Sequence, residues 1–190
     1  LQPDTKIPLL PGSWTKYATQ DPFLIIQWWE QTPNANIAFV ADTNFTVIDL
    51  DIKDGKDGIE SLRDIFSALD LDIQDIPSPV TTASGGKHVF YKPPEGREVA
   101  FHNSTNKGSS GGVDIRSGHA YVVAAPSVVG GQDYRWAENN GSNPLAIVQE
   151  LPAALADVLD KWSTDNVIDI SADQPDLLPD PPPLNEHPCN

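Results

Sequence analysis

Two aspartates, Asp49 and Asp51, interrupt the aliphatic stretch Thr46–Ile52, where Val47, Asp49 and Asp51 alternate with Ile48, Leu50 and Ile52. Such alternation marks a strand, so the two carboxylates share one face and the aliphatic side chains share the other. Their Cβ atoms then lie about 6.5–7 Å apart, twice the strand rise. Paired hard oxygen ligands at that spacing suit Mg²⁺ or Mn²⁺, with phosphate oxygens and water completing the octahedron. Acids on a strand face also serve simply to keep it solvated. Asp is poorly suited to strands, however, so two in one aliphatic strand need a reason.

A third acid, Asp114, stands in Gly111-Gly112-Val113-Asp114-Ile115-Arg116, again inside an apolar strand. Arg116 shares its face, where it can pair with Asp114 structurally or grip a phosphate through two N–H groups. Between the two acidic strands lies Ser84-Gly85-Gly86-Lys87-His88. Glycines beside a strand expose backbone N–H groups, and Lys87 adds a point charge, so an anion can nest there. His88 can donate to a phosphate or bind metal, although a single histidine more often fills a structural role. His102 and His119 read as loop residues, and His187 falls in the tail.

Composition bounds what these groups can serve. The chain has 190 residues, 39% of them hydrophobic and 21% charged, enough for one core of ordinary size. No apolar run approaches the roughly 20 residues that span a bilayer, and no signal peptide opens the chain, so an intracellular, cytoplasmic protein is the expectation. The single cysteine, Cys189, excludes a disulfide framework and a zinc site built on several thiolates. With no methionine, even at position 1, the chain reads as a piece of something longer. A net charge of −15 argues against a nucleic-acid binder, since phosphate backbones attract basic surfaces. A metal site reverses that local field.

The elements that must position these groups follow from pattern. Asp21-Pro22 is a helix start, and Phe23–Gln31 is expected to turn Phe23, Ile26 and Trp28 or Trp29 inward. Ile37–Val40 reads as a buried strand. Asp54–Gly58 is a turn before a helix over Ile59–Leu69, with Ile59, Leu62, Ile65, Phe66 and Leu69 at helical spacing. Pro77-Ser78-Pro79 marks a connection. Val80–Ala83 and Lys87–Tyr91 are strands around the Ser84-Gly85-Gly86 turn. Asn103–Gly112 reads as a flexible polar loop, and Val113–Arg116 and Ala120–Ala125 as strands. Pro152 opens a last helix with Leu155, Val158, Leu159 and Trp162 on its apolar face. The fold class is α/β (α+β), a sandwich of mixed sheets and helices. The globular part covers residues 1–163. Residues 164–190 carry six acids, no Lys or Arg and a run of prolines, and read as a linker or tail.

The ordered combination of Asp-x-Asp, Gly-Lys-His and Val-Asp-Ile-Arg resembles the archaeo-eukaryotic primase superfamily. The likeness is specifically to the bifunctional primase/polymerase domains of plasmid and phage replication proteins. Asp49 and Asp51 match its first motif, Gly86-Lys87-His88 its second, and Val113-Asp114 its third. The flanks are also similar: Asp21-Pro22 with Trp28-Trp29, Pro33-Asn34-Ala35-Asn36-Ile37, Tyr121–Ser127 and Tyr134-Arg135-Trp136. The likeness covers about residues 5–162.

The resemblance implies a primase-polymerase core of mixed sheets, with an RRM-like subdomain flanked by helices. It implies metal-dependent, template-directed nucleotidyl transfer from dNTPs or NTPs to a 3′-hydroxyl, with primer synthesis or extension alone both left open, in replication of a mobile element, phage or plasmid. Asp49, Asp51 and Asp114 would be catalytic and would hold two Mg²⁺ or Mn²⁺ ions, with no zinc. His88, Lys87, Ser84, Gly86, Arg116 and Ser127 would bind nucleotide. Partners would be single-stranded DNA template and primer and a C-terminal helicase or accessory domain, with no membrane. The same residues leave two alternatives: a catalytically silent nucleotide- or DNA-binding module, and an Asp-x-Asp phosphohydrolase. The second usually continues its motif into Gly-Thr, where this chain has Ile52-Lys53.

Overall fold

The computed structural model describes residues 1–9, 14–41, 44–72, 80–96, 101, 103–118, 120–136 and 148–164. The expected connection at Pro77-Ser78-Pro79, the loop residues His102 and His119, and the tail from 165 onward with His187 and Cys189 lie outside the described residues. In chain order the first elements are α1 (Pro22–Gln31), β1 (Ile37–Ala41), β2 (Thr46–Leu50), α2 (Gly58–Ala68), β3 (Val80–Thr81) and β4 (Lys87–Lys92). There follow β5 (Ser104–Lys107), β6 (Val113–Arg116), β7 (Ala120–Ala124), β8 (Val128–Val129), β9 (Gln132–Asp133), β10 (Arg135–Trp136), β11 (Gln149–Glu150) and α3 (Ala153–Thr164).

The alternating strand β2 sits inside the main sheet, whose order is β10-β3-β4-β2-β6-β5, with β11 parallel to the far end of β4. Its neighbours β4 and β6 both run antiparallel to it. One sheet face carries Ile48, Leu50, Val89, Tyr91, Val113 and Ile115, buried under Leu62 and Phe66 of α2 and Leu155 and Leu159 of α3. The other face carries Val47 and Phe90, which pack on Val122 and Val123 from an antiparallel ribbon of β1 and β7. The result is helices, sheet and ribbon in three layers, a mixed α/β architecture.

Local chemistry explains the helix bounds. Asp21 caps α1, its carboxylate accepting from the Phe23 N–H at 2.9 Å, and Asp57 caps α2 by accepting from Glu60 at 2.9 Å. Between β2 and α2 the backbones touch. Asp51 donates its N–H to the Gly112 carbonyl and accepts from Gly58 N–H, both at 2.8 Å. Gly112 has φ +81°, and a Cβ on it would stand 2.6 Å from the Asp51 carbonyl, so only glycine fits there.

Three expectations need correction. Asn103–Gly112 is not simply a loop, because Ser104–Lys107 pairs with β6 as an edge strand. An irregular register and the positive φ of Asn106 remove the alternation that would have marked it. The strand through Asp51 ends at Leu50, where the chain turns toward α2, and Ile52 is 38% exposed rather than part of the aliphatic face. In α1 the expected inner residues Phe23 and Ile26 are 81% and 56% exposed. Only its last turn meets the body, through half-buried Trp28 and Trp29, and the Trp29 indole donates to the Ala35 carbonyl at 3.2 Å.

Leu155 is fully buried where α3 meets the sheet. Leu155→Ala is expected to cost about 2–5 kcal/mol in urea unfolding; a loss under about 1 kcal/mol would contradict α3 as part of this core.

Candidate active site

Register places the chemistry in one row. Asp49 on β2 lies opposite His88 on β4 and opposite Asp114 on β6. All three side chains project from the face away from α2 and α3, because their neighbours Leu50, Val89, Val113 and Ile115 occupy the helical face. Directly opposed residues in antiparallel strands have Cα atoms about 4.5–5.5 Å apart. His88 Nε2 stands 3.5 Å from Asp49 Oδ1.

Each flanking carboxylate is held. Asp114 Oδ2 meets Arg116 Nη2 at 2.7 Å, and Asp114 Oδ1 accepts the Asn106 N–H at 2.8 Å. Asn106 is fixed in turn, since its own Oδ1 accepts from Gly112 N–H at 3.2 Å. Asp51, just past the end of β2, has Lys53 Nζ at 3.4 Å from its Oδ1. The loop before β6 is latched to α2 by Ser61, whose hydroxyl donates to the Gly111 carbonyl and accepts from Ser110 N–H.

Burial and crowding set the electrostatics. Asp49 is pushed up to about 6, first by burial and then by the Asp51 carboxylate, with Asp114 adding to the effect and Arg116 and Lys6 opposing it. His88 is pushed down to about 3 by burial and by the Lys6 and Arg116 cations. It is therefore a neutral imidazole at ordinary pH, a hydrogen-bonding group without charge. His88 also packs against the Tyr134 ring, with centroids 5.8 Å apart.

A cleft of about 430 Å³ opens on this face, lined by Lys6, Asp49, His88, Arg116, Tyr121 and Tyr134 among others. That volume suits a small ligand. The remaining sequence candidates fall elsewhere. Lys87 alternates to the face opposite His88 and reaches Thr81 Oγ1 at 3.4 Å. Ser84 is exposed in the β3–β4 turn, 3.2 Å from Thr82 Oγ1. Gly86 lets that turn pass against the Leu50 carbonyl. Ser127 Oγ accepts the Ile37 N–H at 2.8 Å, joining the start of β1 to the chain after β7.

Sequence reasoning missed Lys6, Asn106, Tyr121 and Tyr134 as parts of the site. The tyrosines stood in noted flanks, but nothing local marks Lys6, and Asn106 was hidden in a stretch read as loop.

Among the described residues no group of three His, Cys, Asp or Glu side chains is gathered closely enough to hold a metal ion. The donor chemistry nevertheless fits a hard divalent cation. Asp49 and Asp51 both offer hard carboxylate oxygens, and the charged form of Asp49 is penalised by burial and by Asp51. A nearby cation would relieve both penalties.

A model of the family described as bifunctional DNA primase/polymerase, N-terminal, matches residues 1–154. Comparison with curated proteins gives no match.

The raised Asp49 carboxyl carries a stability consequence. Folded Asp49 titrates near 6 against an ordinary 3.8, so the folded state takes up the proton first as pH falls. Its charge therefore weakens the fold above pH 6, and the penalty fades as pH drops toward 4. Asp49→Asn is expected to stabilise the metal-free protein at pH 8 by on the order of 2 kcal/mol, with the gain shrinking toward pH 5. Thermal unfolding across pH checks this, and a pH-independent difference would contradict it.

Proposed function

Because the chain belongs to the bifunctional DNA primase/polymerase family, we propose that its cleft joins nucleotides by template-directed transfer from a dNTP or NTP to a primer 3′-hydroxyl. The observation that carries this reading is the row His88–Asp49–Asp114 across three adjacent strands, of which His88 and Asp49 line a ligand-sized cleft. Asp49, Asp51 and Asp114 are the residues that would hold Mg²⁺ or Mn²⁺. Such ions, when bound, supply activation of the hydroxyl and neutralisation of triphosphate charge.

The chain's own groups supply positioning. The sheet register fixes Asp49 against Asp114, and Asn106 and Arg116 fix the direction of the Asp114 carboxylate. Neutral His88 presents an N–H to a phosphate oxygen without adding a charge that the nearby cations would oppose. Arg116, half-buried at the cleft, offers its remaining N–H groups to the same anion. Residues 1–163 would form this catalytic unit, and 164–190 a linker toward a helicase or accessory domain of a mobile replicon's replication protein. Among the described residues no helix is long and apolar enough to cross a membrane.

A second reading, a nucleotide- or DNA-binding module without catalysis, draws on the ion pairs Arg116–Asp114 and Lys53–Asp51, which already partner two of the carboxylates. Primer extension with Mn²⁺ and dNTPs separates the two. Incorporation is expected in the wild type, with pyrophosphate released, and Asp49→Ala or Asp114→Ala should lower it by at least about two orders of magnitude while the fold persists. Metal-dependent extension that survives either change would overturn the assignment. His88→Ala should chiefly raise the apparent KM for dNTP; an unchanged KM would remove its phosphate role.

A further inference from the structure

The first residues of the chain form a hooked arm clamped against the ribbon and the β8–β9 hairpin. Gln2 donates its N–H to the Ile7 carbonyl at 2.8 Å, closing the hook. The Thr5 hydroxyl donates to the Gln2 carbonyl and accepts from the Ile7 N–H, both at 3.1 Å. Asn36, buried just before β1, donates from its amide to the Thr5 carbonyl at 2.9 Å and accepts from Val128 N–H at 3.0 Å. Asp4 takes the Gly131 N–H on its carboxylate at 2.8 Å, and the Tyr121 hydroxyl donates to the Lys6 carbonyl at 2.9 Å. The backbone is thus pinned at Thr5 and at Lys6 themselves, by partners distant in sequence.

Such a clamp fixes the root of one side chain, and that side chain lines the cleft beside Asp49, His88 and Arg116. The neighbouring cations are engaged. Arg116 is paired with Asp114, Lys53 with Asp51, and Lys87 reaches Thr81 from the opposite face. Among the described residues Lys6 forms no ion pair, and it stands exposed at the cleft. A compact ammonium on a fixed root is suited to a phosphate oxygen.

We infer that Lys6, delivered by the clamped N-terminal arm, binds the phosphates of the incoming nucleotide, the role its sequence context would have given to Lys87. This rests on the reading of the cleft as a nucleotidyl-transfer site and adds a phosphate ligand to it. Phosphate oxygens also line a DNA backbone. The triphosphate is the better fit because Lys6 shares its cleft with Asp49 and His88.

The test is equilibrium binding, which needs no turnover. Titrations of the full chain with a fluorescent dATP analogue in Mg²⁺, and of labelled primer–template DNA, compare wild type with Lys6→Gln and Lys6→Arg. Lys6→Gln should weaken dATP binding by about ten-fold or more. It should weaken dAMP binding less, and leave primer–template affinity and melting temperature unchanged, because the clamp uses the Lys6 backbone and not its side chain. Lys6→Arg should restore most of the dATP affinity. Unaltered dATP binding in Lys6→Gln, or weakened DNA binding with dATP binding intact, would overturn the inference. If wild type binds dATP through Lys6 yet incorporates nothing, the transfer reading fails while this one stands.

Discussion

Carboxylates on adjacent strands of a buried sheet face repel one another, and this fold nevertheless sets Asp49 directly opposite Asp114 with Asp51 close behind. At the acids themselves Arg116, Lys53 and the Asn106 N–H offset part of that cost. Asp49 still carries a net penalty for its charge, so the arrangement is not set there. It is enforced from the other side of the sheet, where Ile48, Leu50, Val113 and Ile115 lock against α2 and α3. A slip of one residue between β2 and β6 would drive Asp49 into that apolar layer and Leu50 into the cleft. Hydrophobic burial on one face is therefore what holds unfavourable charge in register on the other. A cation or a phosphate-bound metal would meet Asp49 and Asp114 already set opposite each other by folding.

The same logic extends to the loops. Gly112 brings the start of β6 against Asp51 and the first turn of α2, so the Asp51 backbone is held from both sides although β2 has ended. Asn106 adopts a left-handed backbone at the irregular edge of β5 and thereby aims its N–H at Asp114. Its side chain closes the arrangement on Gly112. These are local departures from regular structure, and each ends on one of the candidate acids. That is the pattern expected where function overrides ideal geometry.

Much of this was legible in the residues. Alternation around Asp49 announced a strand with an acidic face, helical spacing announced α2 and α3, and Asp21-Pro22 marked where α1 begins. The meeting of Asp49, His88 and Asp114 followed from family likeness, since pairing between distant strands leaves no local trace. What stayed hidden was hidden for physical reasons. β5 is an edge strand of polar residues held by backbone bonds, so no apolar pattern betrays it. Lys87 read as one of several phosphate contacts because it follows the glycine turn, yet strand geometry sends it and His88 to opposite faces. Lys6 lacks any local signature because its position depends on Asn36 and Tyr121, far along the chain. The apolar residues of α1 suggested an inward face that only its last turn provides.

The central claim is that the acidic row and its cleft form one metal-dependent nucleotide site. A crystal structure of the chain with Mn²⁺ and a non-hydrolysable dNTP, read by anomalous scattering at the manganese edge, tests it most directly. The account predicts manganese among the carboxylates of Asp49, Asp51 and Asp114, with the triphosphate reaching His88 and Arg116. Manganese bound elsewhere, or a nucleotide seated outside this cleft, would contradict it.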